Sequence, residues 1–285
     1  MSKPRTVSTV SASRPTLEGA GVRLRRAFGF GDTAATDPFL LLDDFRGDDP
    51  SDYIAGFPWH PHRGIETITY ILEGTVEHGD SMGNKGIIGP GDTQWMTAGS
   101  GIIHQEMPQP GPHGRMGGFQ LWANLPASNK TMDPRYRDIK AAEVPVVEAP
   151  GGARIRVICG KVSGSQGPVR DVVIEPEYLD ISLPAGAAYE HPTMPGHTVF
   201  AYVFEGVAAF GAGKATRVEH EHLAIFGDGD MLAMSAGEEP ARILLVSGKP
   251  LREPVAWRGP IVMNTQAELR LAFEEYQNGT FIKKR

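Results

Sequence analysis

The stretch Thr198–Val199–Phe200–Ala201–Tyr202–Val203–Phe204–Glu205–Gly206 decides the fold, because a similar stretch occurs earlier in the chain. It lies over Glu66–Thr67–Ile68–Thr69–Tyr70–Ile71–Leu72–Glu73–Gly74 at an offset of 132 (206 against 74). Both copies are apolar or β-branched runs of strand length, closed by a Glu-Gly turn. In the first copy Glu66, Ile68, Tyr70 and Leu72 share one face, and Thr67 and Thr69 the other. A second match sets Gly227–Asp228–Gly229–Asp230 through Ala236–Gly237 over Gly89–Pro90–Gly91–Asp92 through Ala98–Gly99, at an offset of 138 (237 against 99). The six-residue difference fits a loop insertion, which costs little chain entropy. A duplicated unit of this kind implies two similar all-β domains in tandem.

Composition agrees. The 35 Gly and 23 Pro in 285 residues are too much punctuation for a helical protein and suit short strands joined by tight turns. Residues up to about Arg14 are expected to be frayed. Val22 and Leu24 alternate with Arg23 and Arg25 as an early strand, and Asp37–Phe45 reads as a buried one. The polar, Pro-containing segment 126–150 reads as the inter-domain connection. The expected organisation is therefore an N-terminal barrel over 1–130, a second barrel over 131–258, and a C-terminal segment over 259–285 that packs back on the barrels. That segment holds the one clear helix. Thr265 and Glu268 form a capping-box pattern, Leu269, Ala272, Phe273 and Tyr276 make a stripe, and Gly279 supplies the stop.

A net charge of −6 with mixed signs leaves no basic footprint for direct nucleic-acid binding and no polybasic membrane patch. No stretch approaches the roughly twenty apolar residues of a membrane span. Cys159 is the single cysteine, which excludes an internal disulfide and, in its apolar run, reads as buried and inert. With no secretory signal visible, the expectation is a soluble, cytoplasmic protein, taken to be a monomer.

The chemistry concentrates in Phe57–Pro58–Trp59–His60–Pro61–His62–Arg63–Gly64 and in Gly99–Ser100–Gly101–Ile102–Ile103–His104–Gln105–Glu106. Residues i and i+2 of a strand point to the same face, about 6–7 Å apart. His60 and His62 can thus aim two imidazoles at one point, and His104 and Glu106 can meet them from a second strand. Three neutral nitrogens and one carboxylate suit a divalent metal with positions left open. At the offsets above the four positions fall on Pro192, Met194, Arg242 and Leu244, so the metal is expected only in the first unit. Glu66 shares the strand parity but lies roughly 13 Å beyond His62 along an extended chain, so it ranks as a supporting or structural carboxylate. Phe57, Trp59 and Met107 border the ligands and are expected as pocket walls. His220 and His222 form a second His-x-His, read as a solvated loop because no second pair completes a site. His191 and His197 read as loop histidines, and His78 and His113 have no assignment.

Three stretches carry a resemblance to a known family: Phe57–Thr67, Gln94–Gly99 through His104–Gln105–Glu106–Met107–Pro108, and Gly259–Pro260–Ile261–Val262–Met263–Asn264–Thr265. All three look like pirins, over nearly the whole chain from Asp37 to Phe281. The resemblance implies a bicupin, two antiparallel β-barrels (double-stranded β-helices) of which the N-terminal one carries a metal. It implies iron(II) as the cofactor, with Zn, Ni, Mn and Cu as alternatives, held by His60, His62, His104 and Glu106. The general cupin pattern would use Glu66 instead, and this chain departs from it in the pirin manner. The implied activity is quercetin 2,3-dioxygenase chemistry, opening a flavonol with O2, with Glu106 as ligand or as the base that takes the 3-hydroxyl proton. The alternative implied by the family is a metal- and redox-dependent regulatory protein acting through a protein partner.

Overall fold

Short strands broken by glycine and proline turns give a chain that is mostly antiparallel sheet, as the sequence implies. The computed structural model describes residues 2–213 and 215–283. Two compact units emerge. One comprises residues 15–31, 39–141 and 251–285, the other residues 1–14, 32–38 and 142–250.

In the first unit a seven-stranded sheet runs in the order Arg135–Ile139, Thr93–Thr97, Ile65–Glu73, Gly117–Asn124, Phe39–Asp44, Val22–Phe28, Arg14–Glu18. Its four-stranded companion runs Phe57–His62, Ile102–Gln109, Thr75–Asp80, Lys85–Ile88. The second unit has the same two sheets. The larger runs Val7–Ala12, His222–Phe226, Thr198–Glu205, Ala241–Gly248, Glu177–Leu183, Arg154–Cys159, Val146–Glu148. The smaller runs Ala188–Pro192, Met231–Ala236, Val207–Phe210, Thr216–Glu219.

Position by position, Thr198–Glu205 matches Ile65–Glu73, as the first offset requires. The second offset does not survive. The strand Thr93–Thr97 matches His222–Phe226, and Ile102–Gln109 matches Met231–Ala236. The two Gly-Asp turns look alike but introduce different strands, Thr93–Thr97 in one unit and Met231–Ala236 in the other. Cross-strand register then gives the true counterparts. Glu106 faces His78 and His104 faces His60, whereas Met234 faces Phe210, which lies over His78 at the first offset, and Leu232 faces His191. The positions of His60, His62, His104 and Glu106 are thus taken by His191, Thr193, Leu232 and Met234, not by Pro192, Met194, Arg242 and Leu244. One imidazole is retained, and its ring nitrogens face the Tyr189 hydroxyl and the Glu177 carboxylate, each at 3.2 Å. Leu232, Met234, Ala236 and Phe210 fill the second interior.

Three further expectations change. The N-terminus is not frayed: Val7–Ala12 forms an edge strand against His222–Phe226. Buried Arg5 fixes it, donating to Thr193 Oγ1 at 2.7 Å and to the carbonyls of Gly227 and Met194. Within 126–150, Arg135–Ile139 is a strand of the first sheet, paired with Thr93–Thr97. Its alternating charges hid it, because an edge strand has one face and one rim in water. His222 likewise opens a strand, facing Ala12 and Val203, so it does not sit in a loop.

The helix spans Gln266–Gln277 with both halves of the capping box formed by Thr265 and Glu268. Leu269 and Ala272 are buried against Ala256, Ile261, Met263 and Phe281. Arg63, the residue after the histidine pair, donates to Glu275 at 2.7 Å and to the carbonyl of Phe281, and stacks over the Phe281 ring at 4.2 Å. The C-terminal segment therefore locks against the strand end that carries His62. Thr265→Ala, which frees the helix N-terminus, is expected to cost about 1 kcal/mol in denaturant unfolding.

Candidate metal centre

Strand parity and register bring His60, His62 and His104 to one point. Their ring centroids lie 4.8, 4.4 and 4.9 Å apart, and one nitrogen from each falls within 4.8 Å of the others. The turn after His62 is tight. Gly64 adopts φ 77°, and a Cβ there would come 2.0 Å from the carbonyl oxygen of Val262. Buried Lys130 clamps the turn from behind, donating to the carbonyls of Gly64 and Val262 and to Asn124 Oδ1.

The hydrogen bonds decide the chemistry of the cluster. His60 Nδ1 faces the Pro58 carbonyl at 2.8 Å and His62 Nδ1 faces the Pro260 carbonyl at 3.0 Å. A carbonyl only accepts, so each Nδ1 carries the proton and each Nε2 is left with a lone pair. Yet the two Nε2 atoms face each other at 3.0 Å. A shared proton would need one ring to be cationic. Burial, reinforced by neighbouring His60, pushes His62 well below its ordinary value and opposes that. Burial does the same to His104, which is 0% exposed and has no hydrogen-bond partner on either ring nitrogen among the described residues. Neutral, fixed imidazoles with converging lone pairs and an orphaned third ring are the donor set a divalent ion needs. The residues fit a metal.

Glu106 lies outside the tight group of three nitrogens but opens onto the same cavity. Its carboxylate accepts from Thr69 Oγ1 at 2.9 Å, and Thr69 Oγ1 also lies 2.6 Å from Gln120 Oε1. One hydroxyl has one proton. With Glu106 ionised the proton goes to Glu106, and Gln120 must present its amide N–H to Thr69 instead. Thr69→Val removes this support. It is expected to lower turnover about 10–100-fold, with the metal content unchanged.

The cavity, about 560 Å³, begins at His60, His62 and Glu106. Phe57 forms part of its wall, because a register shift between His104 and Glu106 brings Phe57 opposite Glu106. Trp59 and Met107 do not line it. Trp59 alternates with His60 and is 53% exposed, and Met107 alternates with Glu106. The aromatic walls are instead Trp122, Trp257 and Phe30, with Trp122 meeting the His62 ring edge-on at 4.9 Å. The alternation Phe119–Gln120–Leu121–Trp122 puts Gln120 and Trp122 on one face and was a readable signal. Trp257, far off in sequence, gave none. Glu66 is buried, accepts from Thr97 Oγ1 at 2.5 Å, and is absent from the cavity lining. Burial raises its carboxyl. His78, unassigned from sequence, is buried with its ring 5.3 Å from His104 and its Nε2 3.4 Å from Asp80.

Comparison with known proteins accords with this architecture. The Pirin family model matches residues 21–123, and the model for the Pirin C-terminal cupin domain matches residues 178–282. A Pseudomonas aeruginosa relative is 43% identical over 283 residues, which cover 98% of this chain and 99% of its own. The chain belongs to the pirin family. That relative carries the name "Putative quercetin 2,3-dioxygenase". Human Pirin is 40% identical over 286 residues, covering 98% of this pirin chain and 94% of its own. A crystal structure of quercetin 2,3-dioxygenase from Acinetobacter baumannii superposes with a TM-score of 0.89 at 32% identity, covering 98% and 99% of the two chains. Each pirin barrel is thus a cupin, and the fold is the bicupin that the three sequence stretches imply. No helix among the described residues is long and apolar enough to cross a membrane.

Proposed function

We propose that this pirin holds one divalent metal, iron(II), on His60, His62, His104 and Glu106, and opens flavonols with O2 in the adjoining cavity. The observation that carries the reading is the face-to-face approach of the two Nε2 lone pairs at 3.0 Å, beside a buried His104 with no partner. The metal, when bound, supplies Lewis-acid and redox chemistry toward a phenolic oxygen and dioxygen.

The chain's own residues supply the rest. The Glu106 carboxylate, oriented by Thr69, accepts the proton of the 3-hydroxyl, which makes the substrate an anionic nucleophile. Trp122, Trp257 and Phe57 offer flat apolar surface to a planar ring system and displace water from it. Pro58 and Pro260 carbonyls hold the two imidazoles in the tautomer that leaves Nε2 free. The names of the Pseudomonas relative and the Acinetobacter structure support the substrate class.

An oxygen electrode tests the proposal. Iron-loaded protein should consume oxygen with quercetin and release carbon monoxide. It should do neither with the matching flavone that lacks the 3-hydroxyl, because that molecule gives Glu106 no proton to remove. No oxygen uptake with any flavonol, by protein whose iron content has been verified, would leave a metal-dependent binding role in place of catalysis.

A further inference from the structure

The floor of the cavity carries a second polar device, distant from the histidines. Four residues on four neighbouring strands stand directly opposite one another. Thr69 faces Gln120, Gln120 faces Asp43, and Asp43 faces Arg26. Residues opposed in this way share a face of the sheet, and all four line the cavity. Neighbouring strands lie about 4.8 Å apart, so the row extends about 10 Å from Thr69 to Asp43 and about 14 Å to Arg26. One end is tied to Glu106 through Thr69. The other end is an ion cluster. Arg26 grips Asp43 with Nε and Nη2, both at 2.7 Å, and its Nη2 reaches Glu18 at 2.9 Å.

Two features of that cluster point to a ligand. First, Asp43 is 4% exposed, so a charged pair has been buried in the cavity wall at a desolvation cost. Second, two carboxylates share one guanidinium, which leaves the cluster negative. Such a cluster accepts hydrogen bonds from neutral hydroxyls and repels carboxylates and sulfates.

We propose that Glu18, Asp43 and Arg26 form a specificity subsite for hydroxyl groups on the substrate ring farthest from the metal. The substrate class narrows accordingly to neutral planar polyphenols whose remote ring is hydroxylated, with the polar row spanning the distance between the two ends. The inference deepens the flavonol reading and rests on it for which end of the molecule meets the metal.

Calorimetric binding to the intact chain, without oxygen, tests it with two ligand pairs. Quercetin has two hydroxyls on the remote ring and galangin has none, while both carry the 3-hydroxyl. Luteolin and chrysin repeat that contrast on a flavone core that lacks it. The hydroxylated member of each pair should bind about 10–100-fold more tightly than the bare one. In Glu18→Gln and Asp43→Asn that gap should shrink to about 3-fold or less. Glu18, with its side chain 42% exposed, is the arbiter if Asp43→Asn fails to fold. Equal affinities within each pair, an unaltered gap in Glu18→Gln, or no binding of any of the four would overturn the subsite. If the gap persists in the luteolin pair while the 3-hydroxyl confers neither affinity nor turnover, the subsite stands and the flavonol chemistry falls.

Discussion

His104→Leu is expected to abolish metal binding, by more than about 100-fold in affinity, while leaving the metal-free protein as stable as the parent or more stable. The two halves of this result have one cause. His104 is fully buried, and neither ring nitrogen has a hydrogen-bond partner among the described residues. An unsatisfied buried polar group costs about 1–3 kcal/mol, and leucine of similar size removes that cost. A metal that binds only the folded state raises its melting temperature by mass action. The parent should therefore melt higher with added metal and the variant should not. An ordinary core histidine would behave in the opposite way: its loss would lower the stability of the metal-free protein and leave metal binding intact.

Glu106→Gln is expected to lower flavonol turnover about 100–10,000-fold, the range associated with loss of a positioned base. Metal content should fall less steeply, because three imidazoles remain and an amide oxygen is only a weaker donor. The contrast with Glu66→Gln is the informative part. The Glu66 carboxylate is buried against Thr97 and is absent from the cavity lining. Its substitution should alter stability by about 1 kcal/mol and leave turnover within a few-fold of the parent. The reverse ranking of the two glutamates would move the base to Glu66. Steady-state rates on iron-matched samples, alongside thermal unfolding, decide between them.

The parts that were legible in the sequence are those governed by strand parity. His60 and His62 are separated by one residue, as are His104 and Glu106, and a strand has no choice but to put each pair on one face. The capping box at Thr265 and Glu268 is local in the same sense. What failed was longer-range. The Gly-Asp turn at 227–230 resembles the one at 89–92 in composition alone, and matching the two slips the second repeat by a whole strand and conceals His191 as the counterpart of His60. The N-terminal strand Val7–Ala12 alternates weakly in polarity, since it is an edge whose pairing depends on a partner more than two hundred residues away. Adjacency to the ligands points to Trp59 and Met107, but in a strand the immediate neighbour points the other way. The true walls, Trp122 and Trp257, come from other segments that only the closed barrel brings together. The row Thr69–Gln120–Asp43–Arg26 is invisible in one dimension, because its members lie on four strands and become a line only through register.

We expect the three histidines of the first unit to create a single metal position, which titration of the metal-free protein with cobalt(II) reads out. The visible d–d absorption of cobalt reports both stoichiometry and coordination. One break at one ion per chain, absent in His104→Leu and retained when His220 and His222 are both replaced by alanine, is the predicted result. A break at two ions per chain, or a cobalt spectrum that His104→Leu leaves unchanged, would rule out a single three-histidine site.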